Sequence, residues 1–416
     1  MPAYRRTLPL AAAILLVVVP ASAQKSAVET QVWIDVATHS MAGMPDLGML
    51  GGLAGRMLGD RDVPQGYPRS RGLPATTGKV LDIAMHNSLR PGVAAEQFVP
   101  AGLQVGRSLP LVPPLAPPGR DTPEPVTVED MEVTVRQYWG CGATIRPGQP
   151  KTITLRIRRG QLETSGSIAP NLFVPDRDID VDPRYALWPN MKNSKRVSDR
   201  SSMVGQHRIS GDGVPESLQF DLGPAADFMP RIALETQGGL ADAIQLGWQP
   251  VDRARAYFVN GMAMQDERNF VVWSSAEVAG AGQDLVNYLT GSYIDRWLGQ
   301  KVLLPASTTR CTIPQGIFKS TRADGEGMAS VNMIAYGPET NITWPPRPAD
   351  PKAPWDPEWN VRVRTKSTTM AMLGVDMGDM GGMDGMPNET DETSDEPPTE
   401  EEGKGRKLLR GLLRSF

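Results

Sequence analysis

"MEVTVRQYWGCGATIRPGQPKTITLRIRR" (131–159) is the stretch whose reading decides the fold. Met131, Val133 and Val135 alternate with polar residues, and Ile153, Leu155 and Ile157 repeat the pattern further on. Alternation with a period of two places one apolar face on each of two strands. Between them "RPGQP" (146–150) supplies turn chemistry, since proline fixes φ and glycine permits a positive one. "SLQFDLG" (217–223) and "RIALET" (231–236) read as further short strands between Gly, Pro and Asp clusters. Short strands punctuated in this way predict a β-sandwich over 126–240.

A second sandwich is expected over 241–369. In "LGWQPVDRARAYFVNGMAM" (246–264), Trp248 precedes Tyr257 and Val259 on what reads as the next strand. This spacing resembles a fibronectin type III module, where a Trp on one strand packs on a Tyr of the next. "ASVNMIAYGPE" (329–339) is similar to the module's later strand and turn. One insertion departs from that pattern. "GQDLVNYLTGSYIDRWLGQK" (282–301) reads as an amphipathic helix, with Leu285, Tyr288, Leu289, Ile294 and Trp297 near helical spacing. The expected fold class is mainly β: two tandem immunoglobulin/fibronectin-like β-sandwich domains, an inserted helix in the second, and disordered flanks.

The flanks differ in composition. Residues 24–125 read as an irregular Gly/Met- and Pro-rich region with two strands, at 28–40 and 79–89. Gly51, Gly55 and Gly59 are four apart, which gives either a smooth helix ridge or a flexible loop. Nine prolines between Pro91 and Pro125 favour an extended linker. Later, "WPPRPADPKAPWDPEW" (344–359) sets three Trp among prolines; it reads as a stiff strap anchored by its rings, the alternative being a ligand-facing surface.

Residues 1–23 have the form of a secretory signal peptide: Arg5 and Arg6, an apolar core too short to span a bilayer, and "ASA" ending at Ala23. A periplasmic or secreted product is expected. Removing Arg5 and Arg6 with the leader takes 43 basic residues to 41 against 47 acidic ones, a net of −6. That balance argues against nucleic acid as a partner. In an oxidising compartment the two cysteines, Cys141 and Cys311, form either a disulfide, the favoured reading, or two buried thiols. The chain also resembles a group of proteobacterial envelope proteins of unassigned function, in "YWGCG" (138–142), "LWPN" (187–190), 344–369 and the Gly/Met stretches. The resemblance implies location and architecture.

Catalytic signals are sparse. The three histidines, His39, His86 and His207, fall in no metal or triad spacing, and there is no HExxH, GxSxG or phosphate loop. Ser201, His207 and Asp212 share one polar loop and read as solvated. No catalytic residue is therefore assigned, and a glycan- or peptide-acting enzyme stays as an alternative. Lys192, Lys195, Arg196, Arg200 and Arg208 form a basic run, either solvated or suited to an anion.

Two terminal features carry binding chemistry. In "DMGDMGGMDGM" (376–386), Met377, Met380, Met383 and Met386 offer soft thioethers suited to Cu(I), with His39, Met41 and Met44 as a second set. The alternative is a low-complexity spacer with no cofactor. Eight acidic residues between Glu389 and Glu402 then read as disordered. At 403–416, Leu408, Leu409, Leu412, Leu413 and Phe416 would line one helical face, with Arg406, Lys407, Arg410 and Arg414 around the other. Such a basic amphipathic helix suits a membrane surface, a partner, or the protein's own body. The expectation is a non-enzymatic envelope protein that binds an envelope protein, a glycan or a membrane surface.

Overall fold

The computed structural model describes residues 28–43, 67–71, 77–115, 131–158, 161–174, 178–179, 181–322, 327–350 and 352–374. The expected signal peptide at 1–23, the acidic stretch, Met377 to Met386, Gly51 to Gly59 and the terminal basic segment lie outside these residues.

The chain is mainly β. One sheet of eleven strands runs through it. Within it, β1 (Thr30–Met41) lies parallel to the last strand, β18 (Trp359–Leu373), and antiparallel to β2 (Gly78–Asn87). Beyond β2 lies β8 (Tyr185–Trp188). On the other side, β18 pairs with β17 (Met328–Trp344), then come β13 (Ala256–Met264) and β14 (Asn269–Ser274). Parallel to β14 runs β5 (Met131–Trp139), followed by β6 (Lys151–Arg158) and the edge strand β7 (Gln161–Ser167). The short β15 (Leu304–Pro305) also pairs with β13.

Two smaller sheets cover the same face of this sheet. Strands β3 (Ala95–Phe98), β4 (Ser108–Leu111), β9 (Gly205–Gly211) and β10 (Gln219–Leu222) form one of them. Its Leu109, Leu111, Ile209 and Phe220 share a core with Val32, Ile34, Ile83 and Val361. The other consists of β11 (Leu234–Gln237), β12 (Ile244–Trp248) and β16 (Arg310–Ile313). Its Leu246, Trp248 and Ile313 pack on Tyr257, Val259, Trp273 and Val331. Burial of these apolar faces drives the layering, at about 25 cal/mol for each Å² removed from water.

The alternation in 131–159 becomes the β5–β6 hairpin, with Val133 opposite Leu155 and Val135 opposite Ile153. Trp248 and Tyr257 meet edge to face, ring centroids 5.7 Å apart. Cys141 and Cys311 are joined in a disulfide with Cα atoms 5.2 Å apart.

Three expectations are corrected. Strands from 126–240 and 241–369 share the large sheet, because β5 keeps β6 of its own expected half on one edge and takes β14 of the other half on its second edge. Segment 91–115 is not a bare linker: Leu103, Val105, Leu109 and Leu111 are buried, and that apolar gain outweighs the proline content, producing β3 and β4. The inserted helix shrinks to α1 (Gly291–Gly299), preceded by a 3-10 turn at Gln283–Leu285. Leu285, Tyr288 and Leu289 are buried as expected, Leu285 from the 3-10 turn and the other two from irregular chain.

Candidate functional site

The face of the sheet turned away from the two small layers carries the charge. Along β1 it presents Asp35 and His39, along β2 Asp82, and along β18 Arg362, Arg364 and Lys366. Register makes them neighbours: Asp82 lies opposite Asp35, and Asp35 opposite Arg364. Alternation alone would send these side chains to water. Instead, Tyr67–Arg71, Asp178 and Tyr288 close over them, and Asp35, Asp82 and Lys366 are buried.

The hydrogen bonds show how the charges are held. Arg364 Nε and Nη2 donate to Asp35 Oδ1 and Oδ2 at 2.8 and 2.7 Å, and Nη2 also reaches Asp178 Oδ1 at 2.8 Å. From above, Arg71 donates to Asp35 Oδ2 at 3.1 Å and pairs with Asp178 at 3.4 Å. Asp82 accepts from the Ser70 hydroxyl and the Ser70 backbone N–H, both at 2.6 Å, and from the Arg69 N–H at 2.8 Å. The Tyr288 ring packs against two cations, its centroid 4.5 Å from the Arg364 guanidinium carbon and 4.6 Å from Lys366 Nζ.

These surroundings shift the titrations. Burial alone would raise the Asp35 carboxyl, but the charge and hydrogen bonds of Arg364, with Arg71, hold it at about 2. Burial raises Asp82 above the usual carboxylate range, against the hydrogen bonds from Ser70 and Arg69. Burial pulls the Lys366 ammonium down to about 7, with Asp35 opposing. Burial, then the Lys366 charge, holds His39 down at about 3. Its Nδ1 is 2.6 Å from Thr368 Oγ1. Lys366 Nζ makes no hydrogen bond among the described residues. A cation kept this way relies on the Tyr288 ring and on neighbouring carboxylates, a costly arrangement that loss of its proton relieves.

Other expected residues fall elsewhere. Ser201, His207 and Asp212 do not converge. Ser201 Oγ donates to the Leu103 carbonyl; His207 stands between Gln97 and the Met203 carbonyl, stacked on Phe220; Asp212 pairs with Arg90 at the surface. Lys192, Lys195, Arg196, Arg200 and Arg208 are all exposed, and Arg208 lies over the Phe98 ring. In the strap, Trp359 is buried and donates to Ser217 Oγ at 3.0 Å, whereas Trp344 is half exposed. Among the described residues, no group of three or more His, Cys, Asp or Glu is placed to hold a metal ion.

The charged network was missed in the sequence. Its signal lies in "NVRVRTK" (360–366), where a cation stands at every second position of a strand, facing an aspartate midway along "WIDVATH" (33–39). No protein-family model matches this chain, and no curated protein matches it either.

Proposed function

We propose that this chain is a non-enzymatic cell-envelope protein that binds a partner, exported by its leader and cleaved near Ala23. The observation that carries the reading is the free edge of β7. Gln161–Ser167 ends the eleven-stranded sheet, every one of its residues is exposed, and among the described residues only β6 pairs with it. A strand with one row of unpaired N–H and C=O groups is a template for an added strand. The occupant in this reading is an extended segment of an envelope protein. The terminal basic segment, Arg406 to Phe416, would give a second contact, to the membrane surface.

The charged network supports the same reading. Its carboxylates are spent on guanidinium and backbone partners beneath a closed cover, which suits a clasp better than acid–base catalysis. The two layered units fit the expectation of immunoglobulin/fibronectin-like sandwiches, here built on one shared sheet, and the Trp248–Tyr257 contact favours it.

The test is in-cell photo-crosslinking from position 162 or 164 of β7, compared with position 89 at a distant exposed site. A discrete adduct with an envelope protein from β7 alone is expected. Equal adducts from both sites, or none from β7, would overturn the edge as the binding surface.

A further inference from the structure

Methionines collect at one end of the charge-bearing face. Met41 ends β1 directly opposite Met370 on the parallel strand β18, and the Ala42 N–H donates to the Met370 carbonyl at 2.8 Å. Met372 follows on the same face two residues along β18, since period-two alternation returns it there. All three are partly buried rather than sealed in a core. Across β17, Met328 and Met264 lie opposite one another, with Met262 two residues back, so six thioethers share this end of one face.

Cross-strand neighbours on one face have Cβ atoms about 5 Å apart, and diagonal ones about 7–8 Å. A methionine side chain has three rotatable bonds, so Met41, Met370 and Met372 can turn their sulfurs to one point between β1 and β18. Thioethers are soft ligands that select Cu(I) over the hard and borderline ions. The sequence continues the pattern from both strand ends, with Met44 and Met49 after β1 and Met377 and Met380 after β18. Two stretches far apart in the chain thus leave from adjacent parallel strands.

We infer that Met41, Met370 and Met372 form a binding site for a monovalent soft metal ion, Cu(I) or its analogue Ag(I), at the shared end of β1 and β18. The site is distinct from Met377 to Met386, and does not depend on the β7 edge or on any partner there. Leucine replaces methionine at nearly constant volume, so the sheet is retained while the sulfur is lost.

The experiment is an anaerobic Cu(I) titration against bicinchoninate, using the chain from Gln24 onwards. It compares the unaltered chain with Met41→Leu/Met370→Leu/Met372→Leu and with a variant in which Met377, Met380, Met383 and Met386 are leucine. Capture of one ion by the unaltered chain and by the tail variant is expected, with affinity lowered about tenfold or more in the strand variant. No capture by the unaltered chain, full capture by the strand variant, or loss in the tail variant overturns the site. Oxidative footprinting of the unaltered chain guards against misfolding of a variant. Ag(I) should slow sulfoxide formation at Met41, Met370 and Met372 and leave Met262 and Met328 unchanged; uniform protection, or none, also overturns it.

Discussion

Arg364 clamps both carboxylate oxygens of Asp35 although 329 residues separate them. The parallel register of β1 and β18 sets them opposite each other, and burial of both removes competing water. Breaking one partner of such a pair strands the other as an uncompensated buried charge.

Asp35→Ala should therefore destabilise the fold by roughly 3–5 kcal/mol. Arg364→Met should cost about as much, leaving Asp35 to Arg71 alone. Asp35→Leu with Arg364→Met should cost less than the two singles together. Urea unfolding of the four proteins checks this, and single losses below about 1 kcal/mol would show the clasp to be dispensable.

Acid should act through His39 before it reaches Asp35. Its folded pKa, about 3, lies below the ordinary 6.5, so the unfolded chain binds the proton more readily. Stability from this group is complete above pH 6.5 and falls as the pH drops from there towards 3. The slope approaches about 1.4 kcal/mol per pH unit for one proton. Burial depresses His207 as well, so the two slopes add. Asp35 acts lower, losing its contribution as the pH falls from 3.8 towards 2. Unfolding free energies between pH 4.5 and 6.5 should be flatter in His39→Gln than in the unaltered chain. Parallel curves would remove His39 from the account.

The Cys141–Cys311 bridge joins the end of β5 to β16 across 170 residues of chain. A loop of that length gives the unfolded chain much freedom to lose, so Cys141→Ser/Cys311→Ser should cost about 2–5 kcal/mol. The loss should show first in β12 and β16, as faster amide hydrogen exchange than in β1 and β18. Uniform exchange throughout would mean that the bridge stabilises no particular layer.

The strap makes a contrasting pair. Trp359 is buried in the core under the four-stranded layer, so Trp359→Ala should cost roughly 3–5 kcal/mol. Trp355 is only partly buried, and its indole N–H donates to the Pro345 carbonyl at the surface at 3.0 Å. Trp355→Ala should cost about 1 kcal/mol. Melting temperatures of the two variants decide whether one ring or both anchor the hairpin.

The strands were the most legible part of the sequence. Val32, Ile34 and Val36 alternate onto one apolar face, and so do Val133 and Val135. Pairing was not legible, because periodicity says which face is apolar and nothing about which strand lies alongside. Thus β1 meets β18, and β5 joins its own hairpin partner β6 to β14 of the other expected half. The proline-rich segment misled because the two-residue spacing of Leu103, Val105, Leu109 and Leu111 is broken by a 3-10 turn and lies among prolines that dominate the local reading. The charged site stayed hidden for a similar reason. Asp35, Asp82 and Lys366 occupy the polar positions of their strands, and the return of Tyr67–Arg71, Asp178 and Tyr288 across them removes them from water.

The parallel union of β1 with β18 also bears on the order of synthesis. Thr30 waits for Trp359, its partner in register, so the β1–β18 seam of the large sheet stays open until nearly the whole described chain has left the ribosome. Strands β2 and β17 flank that gap and can pair only with its two halves separately. A growing chain of this design cannot complete that sheet during elongation, and its last seam closes only after β18 has emerged.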